Sequence, residues 1–130
     1  MPLSLGRLTG AIALAIVATH PAYAAVDDYA FELVASEVRQ SDGTVAVRLV
    51  HKPTGKAIPD AVIFARRLDM EPDGMPTMTS PLKVAPQIEP GLYLFKAELS
   101  MEGNWRLSLA AKVQGEPGTV TGRLIFKATP

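Results

Sequence analysis

Beyond the first two dozen residues, apolar side chains recur at every second position, and that period of two predicts strands. A first strand is expected over residues 29–34. Ser41-Asp42-Gly43 reads as a turn, and Thr44–His51 as a second strand with Val45, Val47 and Leu49 on one face. Lys52-Pro53-Thr54-Gly55-Lys56 is built from turn residues, and a third strand follows over 61–67. A shorter strand over 82–88 reaches the turn Glu89-Pro90-Gly91, and residues 92–99 alternate again. Residues 105–113 place Trp105, Leu107 and Leu109 on one face, and 119–128 form a last strand. About seven short strands at near-regular spacing predict an all-β chain, a single antiparallel Ig-like β-sandwich. The paired cysteines that frame the tryptophan of true immunoglobulin domains are absent, so the likeness is one of architecture.

The N-terminus has a different pattern. Arg7 precedes an apolar run over 8–18, too short to span a bilayer, and Pro21-Ala22-Tyr23-Ala24 ends in a small-x-small motif. Residues 1–24 are expected to be a cleaved signal peptide, which makes 25–130 a soluble periplasmic domain. About one hundred residues suffice for one core. Lysine plus arginine equal aspartate plus glutamate, with no charged block, which argues against nucleic acid and against a membrane held by charge. The chain has no cysteine, so in an exported protein the core alone must support the fold, and thiolate chemistry is excluded.

Candidate chemistry concentrates between residues 68 and 78. Met70, Met75 and Met78 fall within one proline-rich segment, where Pro72, Pro76 and Pro81 exclude a helix or a central strand. Thioethers are soft ligands for Cu(I) that do not form disulfides, but they also fill irregular core gaps. The residues alone therefore leave two readings open: a Met-x-x-Met metal loop with Met70 as a third ligand, or packing. Met101 lies in another connection and can join only if both loops share one end of the sandwich; its plain role is packing beside Trp105. His51 is the only imidazole outside the leader. It would complete a Met/His site that also admits Cu(II), or else sit at a strand end as a surface residue. Asp69, Glu71 and Asp73 are expected to hydrate the loop, with Arg66 and Arg67 balancing them, and they lack the pattern of a calcium loop. No Gly-x-Ser-x-Gly, His-Glu-x-x-His or phosphate loop occurs, so the chain reads as a non-enzyme.

Several segments together resemble the FixH/YtkA-like family. These are Gly55-Lys56-Ala57-Ile58-Pro59-Asp60-Ala61-Val62, the Met-Pro loop, Pro90-Gly91-Leu92-Tyr93, Ser100-Met101-Glu102-Gly103-Asn104-Trp105-Arg106-Leu107 and Ala111-Lys112-Val113-Gln114-Gly115-Glu116. The pairing of the Met-Pro loop with Met-x-Gly-x-Trp is the most specific part. The resemblance implies a small β-sandwich of the bacterial envelope, an accessory to heavy-metal handling beside copper-transport or metal-efflux complexes or cuproenzyme assembly. The expected function is thus to carry or buffer Cu(I) through Met70, Met75 and Met78, with Met101 or His51 auxiliary. The alternative is a metal-free Ig-like module that docks on an envelope complex through an edge strand or the proline-rich loop.

Overall fold

The computed structural model describes residues 26–130, together with the isolated Gly6 and Gly10. The expected signal peptide, its cleavage point and His20 lie outside the described residues. Ten strands follow a short 3-10 turn at Val26–Asp28: β1 (Tyr29–Leu33), β2 (Glu37–Arg39), β3 (Thr44–His51), β4 (Lys56–Ala57), β5 (Val62–Met70), β6 (Met75–Ser80), β7 (Leu82–Ala85), β8 (Leu92–Ala97), β9 (Gly103–Lys112) and β10 (Val120–Thr129). All seven expected strands are present, β3 with the expected bounds and the other six with shifted ends, and β2, β4 and β6 are additional. Ile88, expected to end a strand, instead stands exposed in the connection before β8.

Two sheets form the sandwich. The first has the order β1-β3-β8-β7 with β4 also on β3, and the second the order β2-β10-β9-β5-β6. Every pair is antiparallel except β2 with β10. Alternation explains the core. Val45, Val47 and Leu49 of β3 turn inward against Trp105, Leu107 and Leu109 of β9, and all six are buried. Phe95 and Phe126 complete the same cluster. Among the described residues, no helix is long and apolar enough to cross a membrane.

The segment between β5 and β7 is more ordered than an irregular loop, and its predicted character needs correcting. β5 continues through Met70, Glu71–Asp73 make a single 3-10 turn containing Pro72, and Gly74 closes it with φ of 75°. β6 then returns along β5. The prolines do exclude a helix and a central strand, but β6 is the outer strand of its sheet, where a missing N–H is tolerated. Pro81 marks the point where the chain leaves this sheet for β7 of the other.

Candidate functional site

The β5–β6 hairpin closes one end of the sandwich. In its register Leu68 opposes Ser80 and Asp69 opposes Thr79, after which a bulge intervenes and Met70 opposes Met75. Directly opposed residues share a face, so Met75 lies on the inner side with Met70. Thr79 shares the outer side with Asp69, and Met78, one step earlier, turns inward. Burial follows this geometry. Met70 is fully enclosed in the core, while Met75 and Met78 are half-buried and packed against it. The hairpin therefore gathers three thioethers on one side, with one covered and two within reach of solvent.

Met101 belongs to the same end. It precedes Gly103, and a Cβ built on Gly103 would lie 3.0 Å from the Met70 methyl. The Met101 side chain is 38% exposed, and its carbonyl accepts a hydrogen bond from the Trp105 indole N–H at 3.1 Å. The expected link to Trp105 thus runs through the Met101 backbone. His51 is elsewhere. Its cross-strand partner Tyr29 donates to Glu116 beyond the far end of β9, whereas Met70 meets Gly103 at the start of that strand. Ten residues of strand span about 30 Å. The structure brings the four methionines to one end and leaves His51 at the other. There its Nδ1 pairs with Thr54 Oγ1 at 2.8 Å and its ring lies 5.1 Å from that of Tyr29.

The acids of the hairpin fix its shape and do not simply hydrate it. Asp69 is fully buried, accepting from the Glu71 N–H at 3.0 Å, Arg67 Nε at 2.9 Å and an Arg106 terminal nitrogen at 3.1 Å. Burial alone would raise its pKa, but the Glu71 N–H and the two guanidiniums outweigh it and hold the carboxyl below the ordinary range. Arg67, as expected, balances an acid and also donates to the Pro76 carbonyl at 2.9 Å, which anchors the bulge. Among the described residues Arg66 makes no such bond. Asp73 accepts from the Asn104 N–H at 2.8 Å and from its side-chain amide at 3.0 Å, and these bonds lower its pKa. The 3-10 turn is thereby tied to the start of β9. Gly103, with φ of 128°, leaves room for Asp73 and Met70 at that junction. Asp69 and Asp73 are both engaged by donors, which leaves the thioethers as the hairpin's soft donor set. Among the described residues no group of three or more histidine, aspartate and glutamate side chains is placed to hold a metal.

Among curated proteins, none matches the chain. The solved structure described as "ZirS C-terminal Domain" is similar at a TM-score of 0.47 and 11% identity, over 100% of this chain and 83% of that one. The family model described as YtkA-like matches residues 23–110, which include the β5–β6 hairpin and the Met101–Trp105 segment. With the match spanning more than half of its length, the chain belongs to the YtkA-like family.

Proposed function

We propose that this protein is a periplasmic copper-handling accessory that takes Cu(I) as cargo at the β5–β6 hairpin. The observation that carries the reading is the register of that hairpin, with Met75 opposite Met70 and Met78 turned to the same side. The donor set fits the ion. Cu(I) prefers soft ligands and tolerates low coordination numbers, which neutral thioethers meet without losing a proton. Met75 and Met78 are half-buried and within reach of solvent, Met70 is enclosed in the core, and Met101 is the auxiliary ligand from the neighbouring connection. Transfer to or from a copper-transport complex, an efflux complex or a cuproenzyme assembly factor then needs no acid-base step. The chain has no assigned catalytic role in this reading.

The test is anaerobic Cu(I) titration of the processed protein against a chromophoric chelator, beside Met75→Leu/Met78→Leu and His51→Ala variants. Leucine keeps volume and apolarity, so the fold should persist. One equivalent should bind to wild type and to His51→Ala with affinity unchanged between pH 7 and pH 5, and none to the leucine variant. Failure of wild type to compete for the ion would remove copper from the reading.

The second reading is a metal-free interaction module, favoured by one observation. Among the described residues, residues 62–67 of β5 are paired only with β9, and Val62 and Phe64 there are 64% and 56% exposed. An exposed strand edge is a docking surface in its own right.

A further inference from the structure

The chain is neutral overall, with 13 basic and 13 acidic residues, but its charge is not evenly spread. Alternation sends Arg39, Arg67, Arg106, Lys112, Arg123 and Lys127 to the outer face of the second sheet, since their strand neighbours are core residues or their cross-strand partners already face outward. Glu37 and Asp69 share that face, and Glu71 and Asp73 reach its rim, the one 3.5 Å from Arg106 and the other bonded to the Asn104 side-chain amide. Six cations against four acids leave a surplus of two. Asp69 is wholly covered by Arg67 and Arg106, so it presents no negative surface. Arg39, Arg123 and Lys127 make no side-chain hydrogen bond or ion pair among the described residues.

The centre of the face is shaped as well as charged. Arg67, Ser108 and Arg123 stand in one cross-strand row, and the adjoining row, Ala65, Ala110 and Thr121, is small. Between them lies a shallow depression of about 590 Å³. Adjacent strands are about 4.8 Å apart, so the two arginine Cα atoms are separated by about 10 Å. Flexible guanidiniums at that separation converge on carboxylates about 7 Å apart, the spacing of residues i and i+2 in an extended chain.

We propose that this face docks an extended acidic segment of a partner protein, with Arg67 and Arg123 engaging alternate carboxylates across the depression. The chemistry of the face selects this occupant. A membrane surface calls for a cluster of apolar anchors beside the cations, whereas the exposed Ile125 and Val62 lie at opposite ends of this face, opposite Arg106 and Lys112 of β9. Single-stranded nucleic acid calls for aromatic platforms, and none lines the depression, since exposed Phe64 sits at the β5 bulge beyond it. The proposal is independent of copper, since Met70, Met75 and Met78 lie on the inner side of the sheet and Met101 lies in the connection before β9.

The experiment measures anisotropy of a fluorescein-labelled peptide of alternating glutamate and serine against the purified protein at 20 and 300 mM salt. It adds Arg123→Glu and, on the opposite sheet, Lys83→Gln as a control. The expected result is saturable binding at low salt that weakens at high salt, a loss of at least about tenfold in Arg123→Glu, and no change in Lys83→Gln. Circular dichroism should show both variants folded, as neither side chain has a hydrogen-bond or ion-pair partner among the described residues. No binding by wild type at 20 mM salt, undiminished binding by Arg123→Glu, or capture only by phosphatidylglycerol vesicles and not by the peptide would each overturn the proposal.

Discussion

Asp69 occupies an outward position of a sheet, yet no solvent reaches it. Two arginines close over the carboxylate, one from its own strand and one from the neighbouring strand, while the Glu71 N–H supplies a third donor. Its folded pKa lies below its unfolded value, so its contribution to stability is present above the unfolded value and is lost as pH falls through the folded one. Asp69→Asn should therefore lower stability at pH 7 by about 1–3 kcal/mol, the range for a lost charged hydrogen-bond partner. Urea midpoints of wild type and variant should draw together as pH falls below the usual carboxylate range. A gap that stays constant from pH 7 to pH 2 would show that the charge contributes nothing. This role was not legible in the sequence. An acid beside prolines and methionines reads as loop hydration, and the covering Arg106 is 37 positions away.

At the scale of elements, the β5–β6 hairpin combines a structural and a chemical task, and the two can be separated. Met70 is enclosed, so Met70→Ala should cost about 2–5 kcal/mol as a core truncation. Met75→Ala and Met78→Ala should cost clearly less, because both side chains already meet solvent. Gly103→Ala should cost about 1–3 kcal/mol, since a side chain at φ of 128° is strained and its Cβ would collide with the Asp73 carboxylate. Thermal denaturation of the four variants orders these costs; equal losses at Met70 and Met75 would contradict the assigned burial. The strands that build the core were readable in advance. Val45, Val47 and Leu49, and Trp105, Leu107 and Leu109, alternate without interruption, and each set turns inward as its pattern requires. β6 was not readable, because Pro76 and Pro81 argue against a strand unless it is known to lie at an edge. Edge position is a property of the whole sheet and has no local signal. The four methionines were legible as candidates, but their shared end depends on the register of β5 with β6 and on the meeting of Gly103 with Met70.

At the scale of the whole molecule, the crossing of the chain from β6 to β7 leaves part of one sheet open. Among the described residues β6 pairs only with Leu68, Asp69 and Met70, so residues 62–67 of β5 have a strand neighbour on one side alone. An open edge carrying exposed Val62 and Phe64 invites pairing with another chain. Two features oppose this. The register of β5 on β9 shifts at Phe64, a bulge that twists the edge away from a flat template. Arg66, exposed and without a partner among the described residues, places a charge where a docking strand would have to bury it. Arg66→Val should remove that guard and extend the apolar edge, giving concentration-dependent association in sedimentation velocity, while wild type stays monomeric over the same range. Congo red or thioflavin signals are not required, since one edge pairing yields a closed dimer when the contact is two-fold symmetric. If Arg66→Val sediments as wild type does, the bulge alone protects the edge. Reversing the bulge by deleting Phe64 should then be the change that produces the dimer, because it restores a continuous ladder along the full length of β5.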